Sequence, residues 1–218
     1  RSWGGHRDGV ILATKGGLIR PKGAWERDGR PASLRRACER SLEALDTDCI
    51  ALYQLHAPDP AVPFAESIGA LAELRREGKI RWIGLSNVSV GEIREAAAIV
   101  PIVTVQNRLS PFFREAVETG VVAHCASEGV GFLAYSPVGG GRLNLKLPEI
   151  AALQAIAATH DVTPHAVVLA WVLAQGPTVI VIPGARTIEH ATDSVAAGTL
   201  VLTPAERAAI DAAEFSRA

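Results

Sequence analysis

The stretch Cys49-Ile50-Ala51-Leu52-Tyr53-Gln54-Leu55-His56 reads as one β-strand, largely apolar on both faces and closed by a polar group at its C-terminal end. Strands of that kind are covered on both sides, as in parallel sheets with helical crossovers. The next segment fits: Ala65 to Glu77 carries Ile68, Leu71 and Leu74 at helical spacing and stops at Gly78. The same unit recurs along the chain. Val10 to Thr14, Ile80 to Leu85, Ile102 to Gln106, Val130 to Tyr135 and Thr178 to Ile182 are the other predicted strands. The helices begin after a loop from Leu18 to Pro31, with Ser33 as the expected N-cap and Leu34, Ala37, Cys38, Leu42 and Leu45 on one face. They continue as Val90 to Ile99, Glu115 to Ser127, Pro148 to His160, Pro164 to Ala174, Ile188 to Ala197 and Pro204 to Ala213.

Strands alternating with helices leave two architectures, a doubly wound sheet and a (β/α)8 TIM-type barrel. No G-x-G-x-x-G follows the first strand, so the dinucleotide fingerprint of the doubly wound fold is lacking. Polar residues instead recur at every strand end: Lys15, His56, Ser86 with Asn87, Gln106, Tyr135 with Ser136, and Gly184 through Arg186. Strand ends converging on one mouth are the logic of a barrel. The expected fold is therefore α/β, a (β/α)8 barrel with about six of its eight βα units in residues 1–218, forming a single domain. At roughly 30 residues per unit, about 60 residues are expected to precede Arg1, or else the barrel lacks its first two units.

Composition sets limits on partners. The 218 residues are 48% hydrophobic and 21% charged, with formal net charge −1, and the mean hydropathy is +0.19. That balance suits a folded core and gives no electrostatic footprint for nucleic acid or an anionic membrane. The longest apolar run, Ala166 to Ala174, falls short of the ~20 residues that span a bilayer. Cys38, Cys49 and Cys125 form no C-x-x-C pair, so neither a disulfide framework nor a metal site is expected, and a cytoplasmic setting fits.

Several strand-end residues bear chemistry. A lysine closing an apolar strand is partly desolvated, which lowers its pKa. Lys15 can then snorkel from the mouth or act as a Schiff-base amine. His56 shares a face with Gln54 and not with Tyr53; it is either a hydrogen-bonded core residue or a neutral donor to a substrate. Ser86, Asn87 and Gln106 are helix caps or ligands to an amide. Gly139-Gly140-Gly141 with Arg142 makes a flexible cationic loop, and Gly184-Ala185-Arg186 leads into a helix N-terminus, which favours phosphate. Trp25 and Phe112-Phe113 either line an apolar pocket or pack on neighbouring helices.

The runs Ile11-Leu12-Ala13-Thr14-Lys15-Gly16-Gly17, Leu52-Tyr53-Gln54-Leu55-His56, Ile83-Gly84-Leu85-Ser86-Asn87, Val105-Gln106-Asn107, Leu133-Ala134-Tyr135-Ser136-Pro137 and Ile182-Pro183-Gly184-Ala185-Arg186 resemble the aldo-keto reductases, in that family's order and at roughly its spacing. The resemblance spans essentially the whole chain. It implies an oxidoreductase that transfers hydride from NADPH to a small-molecule aldehyde or ketone, with NADH a possible substitute. It makes Lys15 and His56 catalytic: His56 orients the carbonyl, and Lys15, paired with an Asp, lowers the pKa of a Tyr. Ser86, Asn87 and Gln106 would hold the nicotinamide carboxamide and Tyr135 would stack on the ring. Ser136, Pro137, Gly139, Arg142, Ile182, Gly184, Arg186, His190, Asp193 and Ser194 would complete the cofactor site. His190 stands where the family often has Arg, and Asp193-Ser194 where it usually has Glu-Asn. The family's catalytic Asp and Tyr fall in the segment expected before Arg1, and no Asp-x-x-x-x-Tyr element opens residues 1–218. A reductase is thus the leading expectation, a catalytically weak NADP(H)-binding or regulatory barrel the alternative, and a lysine-dependent lyase a third. The short Gly139 to Pro148 loop offers little lid, so quick cofactor exchange is expected.

Overall fold

The structure is a computed structural model that describes residues 9–217; the expectations attached to the residues around Arg1 lie outside that range. Strands and helices alternate along the chain, and six of the strands belong to one parallel sheet in the order of their occurrence. The residues divide between Val105 and Gln106 into two compact units.

The first unit opens with β1 (Ala13–Gly16), followed by a short antiparallel pair, β2 (Leu18–Ile19) and β3 (Glu26–Arg27). Then come α1 (Pro31–Leu45), β4 (Ile50–Leu55), α2 (Phe64–Arg76), β5 (Ile80–Ser86), α3 (Val90–Ala97) and the start of β6 (Ile102–Arg108). β1 pairs with β4 and β4 with β5, all parallel, in a register that aligns Lys15 with Gln54 and Gln54 with Gly84. Leu34 and Cys38 of α1, and Ile68, Leu71 and Leu74 of α2, are fully buried, as their spacing predicts.

Two local expectations are corrected here. β1 lies three residues later than the apolar run suggests, because its register with β4 starts at Ala13; Val10 and Ile11 stay 50% and 71% exposed. Lys15 therefore sits within the strand. Ser33 is not the N-cap of α1. Pro31 starts the helix, its fixed φ suiting the first turn, Arg30 occupies the cap position, and Ser33 turns its hydroxyl to Asp28.

The second unit contains the end of β6, α4 (Glu115–Glu118), α5 (Val121–Ser127), β7 (Gly131–Tyr135), α6 (Ala151–His160), α7 (Pro164–Leu173), β8 (Val179–Ile182), α8 (Ile188–Ala196) and α9 (Pro204–Ala212). β7 and β8 pair in parallel. The single helix expected from Glu115 to Ser127 is two, because Gly120 takes φ +78° between them. Pro148 lies in a 3-10 stretch, Leu143–Glu149, ahead of α6. α7 is the centre of this unit: Ala166 through Val172 are all buried, and the indole of Trp171 donates to Asp211 Oδ1 at 3.0 Å. Among the described residues no single helix is long and apolar enough to cross a membrane, and α6 and α7 meet at 92°.

Candidate active site

In the first unit, alternation along β4 sorts the side chains. Tyr53 and Leu55 point one way, Gln54 and His56 the other. Tyr53 is fully buried on the helix side, where its hydroxyl donates to Leu34 O of α1 at 3.5 Å. Gly16 makes room for it, since a Cβ there would collide with the Tyr53 hydroxyl. Desolvation pushes the Tyr53 phenol well above its ordinary pKa, which keeps it protonated.

The opposite face carries the polar groups. Lys15 is the register partner of Gln54, which is buried and accepts from Thr104 Oγ1 at 3.4 Å. His56 follows β4 immediately, and its backbone N–H donates to Gly16 O at 2.8 Å, locking it beside the end of β1. Lys15 and His56 are both half-buried. Lys15 takes part in none of the ion pairs among the described residues. Burial lowers its pKa. His56 is lowered too, first by desolvation and then by the positive charge of Lys15, so its imidazole is neutral at pH 7. The Trp25 ring meets it edge-on, with centroids 6.0 Å apart.

Ser86 ends β5 and is buried. Asn87 adopts the left-handed conformation at φ +58°, and its Nδ2 donates to His56 O at 3.0 Å and Ser86 Oγ at 3.2 Å. The helix-cap reading of Asn87 is thereby set aside: α3 is capped by Ser89, in a reciprocal box with Glu92. Asn87 instead ties the end of β5 to the end of β4.

In the second unit, Gln106 is buried within β6 and Tyr135 closes β7. Ser136 turns at φ +51° and its carbonyl accepts from Gly139 N at 2.9 Å, folding the Pro137 to Gly139 segment back on itself. Phe112 packs rather than lines a pocket, being buried and edge-on to Phe215 at 5.1 Å. Arg142, Gly184 and Arg186 are exposed, and Ile182 at the end of β8 is 42% exposed. Thr187 caps α8 by accepting from His190 N at 3.2 Å. Ser194 donates to His190 O at 2.8 Å, and both Asp193 carboxylate oxygens lie 2.7 Å from Thr163 Oγ1, the donor. Asp193, Thr163 and Ile188 help line a groove of about 600 Å³ between α7 and α8.

Sequence reasoning missed Thr163, Asp28 and Asp59. A threonine ahead of Pro164 is a legible N-cap, but its second partner, Asp193, lies 30 residues away, beyond any local pattern.

Parallel strands alternating with helices define an α/β protein. A profile described as the aldo/keto reductase family matches residues 1–214. The chain belongs to that family, an oxidoreductase class acting on small-molecule carbonyl compounds. It is 37% identical over 235 residues to aldo-keto reductase str7 of Strobilurus tenacellus, covering 94% of this chain and 69% of the relative. Among solved structures it resembles an aldo/keto reductase of Klebsiella pneumoniae in complex with NADP and acetate, at 31% identity and TM-score 0.79, covering 95% of this chain and 71% of that one. The glycerol dehydrogenase AKR11B4 of Gluconobacter oxydans gives 27% identity and TM-score 0.82, covering 93% and 71%. The chain thus spans about 70% of the length of these relatives. The (β/α)8 barrel class expected from the strand ends is the class of these neighbours.

Proposed function

We propose that the protein reduces a small aldehyde or ketone to an alcohol with NADPH, and that residues 1–218 act as one functional domain. The observation that carries the reading is that Lys15 and His56 lie half-buried, on β1 and just after the adjacent β4, with His56 N donating to Gly16 O at 2.8 Å and the charge of Lys15 adding to desolvation in lowering the His56 pKa. A neutral imidazole donates one hydrogen bond to a carbonyl oxygen without adding charge. Lys15, with no ion pair among the described residues, keeps its cation available to depress the pKa of a neighbouring acid. The donor set also fits a phosphorylated dinucleotide. Arg142 and Arg186 are exposed, and neither takes part in an ion pair among the described residues. Arg186 stands just before the N-terminus of α8, where unpaired backbone N–H groups favour phosphate.

In this reading Ser86, Asn87, Gln106, Tyr135, Ser136 and Pro137 hold the nicotinamide end. Gly139, Arg142, Ile182, Gly184, Arg186, His190, Asp193 and Ser194 hold the phosphates and adenosine. Arg186 favours a 2′-phosphate, hence NADPH over NADH. Bound there, the cofactor supplies a hydride from its nicotinamide C4. The three free cysteines, two of them buried, support a reducing, cytoplasmic setting. Purified protein mixed with NADPH and a panel of small aldehydes should consume NADPH only when a carbonyl is present. Binding of NADPH without carbonyl-dependent consumption would overturn the reductase reading.

One observation favours a second reading, a nucleotide-binding protein of slow turnover. The chain has two tyrosines. Tyr53 is buried against α1, and Tyr135 is assigned to the nicotinamide. In this reading neither tyrosine among the described residues serves as general acid; a reaction run without one is about 10²- to 10⁴-fold slower, so tight NADPH binding with barely measurable turnover is the signature of the second reading.

A further inference from the structure

The hairpin between β1 and α1 is built to hold one exposed aromatic ring beside His56. Its strands pair Leu18 with Arg27 and Ile19 with Glu26, and the tip turns through Pro21–Gly23. Trp25 emerges from it 62% exposed, although an indole is among the costliest side chains to leave in water. It is held from within the hairpin by Arg20, whose guanidinium lies 4.6 Å from the ring centroid and donates to Gly23 O at 3.1 Å.

The segment just after Trp25 is pinned on both sides. Asp28 N donates to Gly17 O at 3.0 Å. The buried Asp28 carboxylate accepts two bonds from Arg30 at 2.8 Å and one from Ser33 Oγ at 2.7 Å. Gly29 N donates to Asp59 Oδ2 at 2.9 Å and Gly29 O accepts from Ser67 Oγ at 2.7 Å. A Cβ at residue 29 would stand 2.8 Å from Asp59 Cβ, so only glycine permits this approach. Asp59 lies three residues beyond His56, so the clamp joins the hairpin to the loop that follows the histidine. The ring is thus held where it is by a polar network rather than by burial of its own surface.

We infer that Trp25 is a specificity-determining residue: its exposed indole is the wall against which the substituent of a carbonyl compound held at His56 lies. The substrate class is then aldehydes or ketones bearing a flat, unsaturated group. This rests on the reading of His56 as the carbonyl-orienting residue. A flat group fits because an indole offers stacking area at fixed orientation, and ring pairs gain beyond the area they bury. A short aliphatic chain covers little of the ring and gains little from it.

The test compares benzaldehyde with propanal in the full chain and in Trp25→Ala and Trp25→Phe. Trp25→Ala should lower kcat/KM for benzaldehyde about tenfold, chiefly through KM, and change propanal less than about twofold. Trp25→Phe should recover most of the loss. A parallel fall for both aldehydes, or an unchanged ratio between them, would overturn the inference while leaving the reductase reading intact. If neither aldehyde is consumed, the reductase reading fails, and saturation-transfer NMR decides the inference separately. Benzaldehyde saturation in the wild type that vanishes in Trp25→Ala supports it, and saturation equal in both refutes it.

Discussion

The end of β4 in the first unit and the start of α8 in the second are both rich in polar groups, yet they partner them differently. At β4 the groups are half-buried and take part in no ion pair among the described residues: Lys15 and His56 are both lowered by desolvation, and His56 further by the charge of Lys15. At α8 Arg186 and His190 are exposed, while Asp193 and Ser194 are half-buried but hydrogen-bonded, Asp193 to Thr163 and Ser194 to His190 O. Desolvated, unpaired groups respond strongly to small changes in a neighbour's charge, which suits bond-making chemistry. Solvated groups contribute graded, screened attraction, which suits holding a ligand.

The contrast predicts where rate and affinity separate. The largest effect belongs to the buried pair: Lys15→Met or His56→Ala should lower kcat by about 10²- to 10⁴-fold in steady-state assays, while the NADPH Kd from fluorescence quenching moves by less than about threefold. Equal changes in both quantities would erase the distinction. Next, Arg186→Ala should weaken NADPH binding about tenfold by the same quenching assay, through loss of a charge-assisted contact, and leave kcat alone. NADH affinity should hardly change.

A smaller effect tests the coupling itself. The His56 pKa is lowered below 6.5 by desolvation and then by Lys15, so its NMR titration midpoint should lie under 6.5, and Lys15→Met should raise it by removing a like charge. The linkage has a definite sign. Below pH 6.5 the unfolded chain binds this proton before the folded one does, so His56 costs stability as pH falls through that window and nothing above it. His56→Gln should therefore flatten the acid side of the stability curve. Smallest is Thr163→Val, which removes the N-cap of α7 together with the Asp193 contact. It should cost about 1 kcal/mol in chemical denaturation and leave kcat unchanged.

Much of this was legible in the chain itself, for identifiable reasons. The alternation of apolar strands with helices repeats at short range, so the α/β class and the face shared by Gln54 and His56 follow from periodicity alone. The resemblance carried by Lys15, His56, Ser86 and Gln106 is likewise a matter of short motifs. The structure departs from these readings at a few places. β1 begins at Ala13, where its register with β4 opens on Leu52. The caps were lost locally: Pro31 starts α1, so Arg30 takes the cap position and Ser33 turns to Asp28, and α3 is capped by Ser89 and not by Asn87. The break at Gly120 was signalled by the glycine and passed over.

Periodicity and residue chemistry, which are local, were enough for the fold class, the family and the roster of polar strand ends. Folding alone decided that Lys15 carries no counter-ion among the described residues, that Tyr53 is walled off behind α1, and that Trp25 is clamped next to His56 through Asp28 and Asp59. Desolvation and long-range hydrogen bonds depend on residues such as Tyr53 and Leu34, or Gly29 and Asp59, meeting in space from distant positions, and no short window of sequence contains both partners.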